Sequence, residues 1–392
     1  MKGKALILFG FLVAVAVIIL IARRGGLGNA GAGPAGGGAR ADAVEVAFLY
    51  STEKKDWIEA AVAAFAKEHP EVSVKLIGMG SLEAAQALLE GKQQPVLWSP
   101  ADSLVLNLAA ADWETKTGSR LVAASGTEDA PEPLVLTPLV FVIWEDRAEV
   151  LQKATHGQIT WKAIRDAVVS NRGWPAIGGK PEWGFVKLGH TDPTRSNSGL
   201  QALLLMTLEY YKKTSGLEVG DLLKPDYQQW IREIERGVSR FERSTGTFMT
   251  DMVRFGPSKY DLAVVYESLA ISQLENAQGR WGNLKVYYPA STLWSDHPVA
   301  LLQGSWITPA QKKAATALVS YLRSRPVQAQ ALNWGFRPAD PAVPIRTADA
   351  HNPFSRLAAF GVQLEIPPAA TPPDAPVIRN LITMWSRVVG NR

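Results

Sequence analysis

The 392-residue chain contains no cysteine. This absence excludes disulfide scaffolds, thiolate zinc sites, cysteine nucleophiles and lipid attachment through a cysteine. The motifs G-x-S-x-G, H-E-x-x-H and G-x-x-x-x-G-K-[ST] are missing as well. The five histidines are scattered, and His190, Asp192 and Ser196 lie too close together in sequence to assemble a catalytic triad. We therefore predict that the protein is not an enzyme, has no catalytic residues and uses no cofactor.

The folded part of the chain also lacks a basic excess. The whole sequence has 41 Lys+Arg against 37 Asp+Glu, a net charge of +4. Residues 1–43 hold five of those basic residues and one acid, which leaves 36 residues of each sign in 44–392. Because nucleic-acid binding depends on concentrated positive charge, this balance predicts no nucleic-acid partner.

A long apolar run is present at the N-terminus. Residues 5–22 carry no charged side chain, and Arg23-Arg24 follow directly. As a helix, such a run rises about 27 Å, close to the hydrocarbon thickness of a bilayer. Its length and the missing small-residue cleavage site directly after it favour a retained signal anchor over a cleaved signal peptide. This segment predicts a single-pass cell-membrane protein whose globular part is extracytoplasmic.

Residues 25–43 form a Gly/Ala-rich linker, because 14 of these 19 residues are Gly or Ala. The linker contains a formal G-x-G-x-x-G at 26–31. A dinucleotide site needs this motif between a strand and a helix, and here a membrane segment precedes it and more glycine follows. The match therefore does not indicate a dinucleotide site.

Strand–turn–helix units follow one another from residue 44, with strands predicted at 44–50, 72–77 and 95–98. This repetition is typical of a parallel sheet covered by helices. Two apolar strands, 134–143 and 261–267, enclose a further set of elements. Thr137-Pro138 within the first suits a strand that passes between lobes, since proline is not tolerated in a central ladder.

We predict an α/β protein of two lobes, each a mixed sheet covered by helices, joined by two hinge crossover strands. The predicted organisation is a signal anchor at 1–24, a linker at 25–43, a discontinuous first lobe at 44–136 and 265–392, and a second lobe at 137–264.

Four segments carry a resemblance to a known family: 50–57, 80–82, 97–100 and His190-Thr-Asp-Pro-Thr-Arg-Ser-Asn-Ser-Gly-Leu200. Together they resemble type II extracellular (periplasmic) solute-binding proteins of ABC transporters. More narrowly, they resemble the membrane-tethered branch associated with von Willebrand factor A-type domains. The resemblance covers residues 44–335. It implies two lobes with a ligand in the cleft between them and closure by hinge bending, without defining the ligand.

In such an architecture, helix N-termini point into the cleft, where free N–H groups and the helix dipole favour anions. Serines follow the strands at these places: Ser51, Ser81, Ser99, and the pair Ser196 and Ser198 before a helix. Each serine alone is more simply read as a helix N-cap. Their recurrence after consecutive strands predicts that at least two of them bind the ligand.

Acidic residues leave the charge of the ligand open. Thr191-Asp192 and Tyr266-Glu267 lie at the predicted cleft and hinge, and we include all four in the predicted binding site. Asp192 would repel an oxyanion unless Arg195 neutralises it. With Glu53 and Asp102, the acids Asp192 and Glu267 would form an oxygen shell for a hard cation such as Ca²⁺. The simpler alternatives are that Asp192 caps its turn and that Glu267 pairs with a Lys or Arg across the hinge.

The sequence thus predicts a solute-binding protein that captures a small polar ligand, whether an oxyanion, a metal ion or a polyol, for a membrane transporter permease. The alternative is an envelope interaction or sensor protein on the same fold, with a von Willebrand factor A-type partner. In both cases the membrane is contacted through the N-terminal helix.

Overall fold

A computed structural model describes residues 42–155 and 157–390. The predicted signal anchor and nearly all of the linker lie outside these residues. None of the helices within the described ranges combines the length and apolar character needed to span a bilayer.

The described residues form eleven strands. They are β1 Val44–Tyr50, β2 Val72–Gly78, β3 Leu97–Ser99, β4 Glu132–Pro133, β5 Val135–Trp144, β6 Leu188–Gly189, β7 Leu262–Tyr266, β8 Leu284–Tyr287, β9 Trp294–Ser295, β10 Pro298–Leu301 and β11 Arg337–Pro338.

Fourteen α-helices lie in the same part of the chain. They are α1 Lys55–Glu68, α2 Ser81–Leu89, α3 Ser103–Thr117, α4 Glu145–Ala154, α5 Trp161–Val169, α6 Asn197–Tyr211, α7 Val219–Leu222, α8 Pro225–Glu235, α9 Thr245–Phe255, α10 Glu267–Ala277, α11 Pro309–Leu322, α12 Arg325–Ala331, α13 Pro353–Arg356 and α14 Ala375–Val388.

The first lobe is built on a sheet of order β2-β1-β3-β10-β4, in which β1 is parallel to β2 and β3, and β10 is antiparallel to β3. Side chains alternate between the two faces of a strand. Phe48 of β1 accordingly packs with α1 and α11 on one face, and Leu49 packs with α2 and α3 on the other. Both faces are buried at residues 48–50, whereas Glu45 near the start of the strand is exposed.

The second lobe is built on a sheet of order β11-β5-β7-β6, with β8 and β9 also paired to β5. Leu139, Phe141 and Ile143 face one helical layer, whereas Val140 and Val142 face the other. The two-lobed α/β fold with mixed sheets is therefore confirmed.

Pro138 lies inside β5, at the point where the strand changes partners. Thr137 and Pro138 pair with β9, and residues 139–143 pair with β7. The proline therefore interrupts no continuous ladder, because the pairing already changes there.

Several elements of residues 265–392 lie with the second sheet. Strands β8, β9 and β11 all pair antiparallel with β5. Helix α14 packs its buried face, including Ile378 and Trp385, into the core that covers that sheet. The lobe boundaries at 136/137 and 264/265 stay predictions.

Candidate functional site

The three first-lobe serines lie together at the ends of strands and the starts of helices. Ser51 follows β1, Ser99 ends β3, and the Ser51 N–H donates to the Ser99 carbonyl at 3.0 Å. Ser81 is the first residue of α2, and its Oγ accepts from the Ala101 N–H at 2.9 Å. All three serines are buried. The parallel order of β1, β2 and β3 produces this convergence, because their carboxyl ends share one edge of the sheet.

A second group of hydroxyls lies in the second lobe, where α6 and α9 begin. Ser198 Oγ is 2.7 Å from Thr191 Oγ1 and 2.7 Å from Thr245 Oγ1. Ser196 Oγ is 3.3 Å from both Ser198 Oγ and Thr245 Oγ1. Thr245 was missed at the sequence level, although Ser244-Thr245 before an amphipathic helix is a recognisable helix-start pattern.

The loop before α6 is held close to that helix by a glycine. A Cβ on Gly199 would lie 2.2 Å from the Thr191 carbonyl oxygen and 2.9 Å from Pro193 N. A methyl group does not fit at such distances, so only glycine permits this approach. The close contact brings the Thr191 hydroxyl to the first turn of α6.

The two groups of hydroxyls belong to different lobes, and we define the cleft between the lobes by Ser51, Ser81 and Ser99 on one side and Thr191, Ser196, Ser198 and Thr245 on the other. Thr52 Oγ1 contacts Ser244 Oγ at 3.0 Å, and Gln201 Nε2 donates to Asp102 Oδ2 at 2.6 Å. Both contacts join the two lobes.

The serines at N-cap positions do not act as caps. Ser51, Ser196 and Ser244 occupy N-cap positions without making a side-chain cap hydrogen bond, and Ser81 lies inside its helix rather than before it. By contrast, Asp102 caps α3 by accepting from the Leu104 N–H at 2.7 Å. The hydroxyls of these serines therefore do not cap their own helices. Helix capping was the simpler interpretation of the sequence.

A buried lysine lies behind Ser51. Lys54 Nζ donates to Ser51 Oγ, to the Pro100 carbonyl at 3.2 Å and to His297 Nδ1 at 3.2 Å. Burial lowers the pKa of Lys54 to about 8. Burial, and then the Lys54 charge, hold the pKa of His297 well below its ordinary value, so the imidazole is neutral and accepts through Nδ1.

Neither Lys54 nor His297 was singled out from the sequence. Spacing offered one signal, since Lys54 follows Ser51 by three residues, which is one helical turn. His297 is 243 residues from Lys54, and no local pattern joins them.

A second buried network runs from Asp102 to the hinge. Gln201 Nε2, which bonds Asp102, also donates to Ser295 Oγ at 3.0 Å. Asn197 Nδ2 donates to Tyr266 Oη at 3.0 Å, and burial raises the pKa of this tyrosine well above its ordinary value. The predicted site residue Tyr266 therefore lies at the cleft as a neutral phenol.

The pKa of Asp102 makes the stability of the protein depend on pH. Burial, followed by the charge of Asp296, raises this pKa from 3.8 to about 7. As the pH rises from about 4 to about 7, Asp102 ionises in the unfolded chain but not in the native one, so the wild type loses stability across that window.

Asp102→Asn cannot ionise and keeps the helix cap. We expect the variant to be more stable than the wild type by about 2 kcal/mol at pH 8 and equally stable near pH 4. Urea unfolding at both pH values measures the difference. The control, Asp112→Asn on the exposed face of the same helix, should stay within about 0.5 kcal/mol at both. A difference for Asp102→Asn that is the same at both pH values would contradict this prediction.

The predicted carboxylate shell for a cation is wrong. Asp192 Oδ1 accepts from the Thr194 N–H at 2.8 Å and from Thr194 Oγ1 at 2.7 Å, so this acid caps its own turn. Glu267 accepts from Arg337 Nε at 2.7 Å and from Arg337 Nη2 at 2.8 Å. Within the described ranges, no group of three or more His, Asp or Glu side chains is arranged to hold a metal ion. Local partners hold these acids apart, which is the simpler alternative that the sequence had left open.

A fully buried ion pair supports the loop that carries Thr191. His190 Nε2 lies 2.8 Å from Glu235 Oε2, and His190 Nδ1 lies 2.9 Å from the Thr191 carbonyl oxygen. Trp385 Nε1 of α14 donates to Glu235 Oε1 at 2.7 Å. Hydrogen bonds therefore connect helix α14, through Glu235 and His190, to Thr191, one of the hydroxyl residues of the second lobe.

Two α/β lobes that meet at a buried polar cleft are an arrangement suited to binding a small molecule. The chain belongs to the bacterial extracellular solute-binding protein family, whose model matches residues 46–337. No curated protein matches the sequence.

Solved structures share this fold. The sulfate-binding protein of Mycobacterium tuberculosis H37Rv has a TM-score of 0.55 at 15% identity, covering 89% of this chain and 99% of that one. A periplasmic thiamin binding protein has a TM-score of 0.62 at 14% identity, with coverage of 92% and 99%. The ferric binding protein from Campylobacter jejuni has a TM-score of 0.57 at 11% identity, with coverage of 87% and 99%. At these identities the likeness concerns the fold.

Proposed function

We propose that this protein captures a small polar ligand in the cleft and delivers it to an ABC-type membrane transporter. The observation that carries the proposal is the convergence of buried hydroxyls from both lobes at helix N-termini that their own serines do not cap. An oxygen-rich ligand would accept hydrogen bonds there and interact favourably with the helix dipoles.

The proposed ligand-binding residues are the seven that define the cleft. Ser51 and Ser99 present one side, and Ser196, Ser198 and Thr245 present the other. The two remaining predicted site residues of the hinge have supporting roles in this proposal: Tyr266 orients Asn197, and Glu267 binds Arg337. Asp192 shapes the loop instead of contacting the ligand.

One structural neighbour is a sulfate-binding protein, whose named ligand is an oxyanion. Hydroxyls and backbone N–H groups suit an oxyanion group in a ligand of this chain as well. The buried charge of Lys54, transmitted through the Ser51 hydroxyl, would stabilise it further.

We also propose that residues 1–24 keep the receptor on the membrane, with the globular part extracytoplasmic. A tethered receptor is always close to its transporter, which raises the effective concentration of the captured ligand there. N-terminal sequencing of the membrane-bound protein tests this point: a start near Met1 supports the anchor, and a start at Ala41 or beyond shows cleavage.

A ligand screen tests the function. The full chain in detergent is heated with sulfate, molybdate, phosphate, Ca²⁺, Fe³⁺, glucose, glycine or thiamin, and an oxyanion is expected to raise the melting temperature by mass action. Ser198→Ala should weaken its binding about tenfold or more, because a buried hydrogen-bond donor is lost. The control is Ser272→Ala, on the exposed surface of α10. No shift with any class of compound would favour the interaction-protein alternative with a von Willebrand factor A-type partner.

A further inference from the structure

Unpartnered buried polar atoms are concentrated at the cleft. Among the described residues, nine buried side-chain nitrogen or oxygen atoms have no hydrogen-bond partner. Five of them belong to residues at the junction of the two lobes: Glu53 Oε1, Ser99 Oγ, Asn197 Oδ1, Gln201 Oε1 and His297 Nε2. Since buried polar groups are normally paired, such a concentration indicates a place where a bound molecule supplies the partners.

Three of these five atoms are oxygens that can only accept. The amide of Gln201 is oriented by its donation to Asp102 Oδ2 at 2.6 Å, which leaves Oε1 as the free atom. The amide of Asn197 is oriented by its donation to Tyr266 Oη. The third acceptor is the carboxylate of Glu53. All three need a group with N–H or O–H bonds, and a bare oxyanion has none to offer.

Glu53 determines the charge expected of the ligand group that would bind these three acceptor oxygens. Its side chain is 5% exposed, and the basic group within 4 Å of Oε1 is His297 Nδ1, at 3.4 Å. That nitrogen already accepts from Lys54 Nζ. The Glu53 oxygen Oε1 therefore meets the lone-pair side of a neutral ring. The charge of Lys54 attracts Glu53 through space, but within the described residues no ammonium or guanidinium group hydrogen-bonds to Oε1.

The hydroxyls of both lobes supply donors beside these acceptors. Ser51 Oγ accepts from Lys54, so its own proton is free to be donated into the cleft. The neighbouring Ser99 Oγ is unpartnered, and Ser196 and Ser198 stand at the start of α6. Hydroxyl donors and helix N-termini are thus found beside acceptors that have no hydrogen-bond partner, among them a carboxylate oxygen.

We propose that the ligand is a small zwitterion: an oxyanion held by the hydroxyls and helix N-termini, which also carries an ammonium group that binds Glu53, Asn197 and Gln201. This inference rests on the proposed function and narrows it to one class of ligand. A bare inorganic oxyanion would leave the acceptors unpaired, and a simple cation would leave the hydroxyl donors unpaired.

Matched pairs of compounds test the inference on the full chain by thermal shift and calorimetry. Taurine is compared with ethanesulfonate, phosphoethanolamine with ethyl phosphate, and glycine with acetate; sulfate and phosphate serve as bare oxyanions. The amine-bearing member of at least one pair is expected to bind about 100-fold more tightly than its partner, since a buried charge-assisted contact is worth that much.

Glu53→Gln removes the charge at the ammonium position. The preference for the amine is expected to fall about tenfold or more in this variant, and Glu59→Gln, on the exposed face of α1, should leave it unchanged. The Gln variant keeps the size and an acceptor oxygen of the side chain, so loss of the fold is not expected to confound the comparison.

The possible outcomes separate a failure of the zwitterion inference from a failure of the proposed function. An oxyanion that binds at least as tightly as every amine-bearing compound overturns the zwitterion while the receptor function stands. An amine preference that survives Glu53→Gln overturns the assignment of Glu53. If nothing in either this set or the larger screen shifts the melting temperature, the proposed function itself fails.

Discussion

Arg337→Met is expected to lower the free energy of unfolding by about 3–5 kcal/mol, because it leaves the buried carboxylate of Glu267 without its cation. Arg337 donates two hydrogen bonds to Glu267, and neither side chain is more than 3% exposed. Tyr288 Oη also donates to Glu267. A single phenol does not replace the charge of a guanidinium in a buried site.

The place of the Arg337–Glu267 pair in the fold increases the expected loss of stability. Glu267 follows β7 at the predicted hinge, and Arg337 lies in β11, which pairs with the first residues of β5. Arg337 also donates to the Leu364 carbonyl at 2.8 Å, so it holds the C-terminal segment against the second sheet. Removal of the guanidinium therefore weakens several connections at once.

Equilibrium unfolding in guanidinium chloride measures the loss. The matched control is Arg379→Met, which breaks an exposed pair with Asp112 and should cost less than about 1 kcal/mol. The double variant Glu267→Gln with Arg337→Met should recover much of the loss, since it removes the unpaired charge. A loss below about 1 kcal/mol for Arg337→Met would show that water reaches Glu267.

The alternation of apolar strands and helices was sufficient to predict the two-lobed fold. The buried faces of β1 and β5 follow directly from the apolar runs at 44–50 and 134–143. The sheet that β8 joins could not be predicted from the sequence, because a short strand of four residues carries no information about its partner. Pairing with β5 depends on a register that only the folded chain defines.

The cleft serines were predictable for a related reason, since each follows a strand or begins a helix. Gln201 and His297 were not predictable, because their partners are distant in sequence. Lys54 and Thr245 lie in recognisable local patterns, which do not show that they belong to the cleft. For the carboxylates, the sequence suggested a shared site that does not form. Four acids at the ends of elements suggested a bound metal ion, yet Asp192 and Glu267 have partners of their own. Residue type and spacing identify a candidate site, but burial and competing local hydrogen bonds decide which candidates remain available to a ligand.

His190→Leu is expected to cost about 3–5 kcal/mol at about pH 6, because it removes the imidazolium that faces the fully buried Glu235 carboxylate. The matched control is His69→Leu. His69 makes the same kind of contact with Glu71 at 3.1 Å, but at the surface, and its loss should cost at most about 1 kcal/mol. Urea unfolding of both variants measures the contrast.

The pH dependence identifies the cause of this cost. Burial alone would lower the pKa of His190, but the charge of Glu235 and the hydrogen bonds to Glu235 and Thr191 outweigh it, so the pKa is raised above 6.5. Asp192 adds a smaller contribution of the same sign. A raised native pKa means that the stabilisation is complete below about pH 6.5 and disappears as the pH rises through the native value. The difference in stability between wild type and His190→Leu should therefore shrink as the pH rises above about 6.5. A difference that does not change with pH would show that His190 acts by packing alone and that the loop carrying Thr191 is held without an imidazolium.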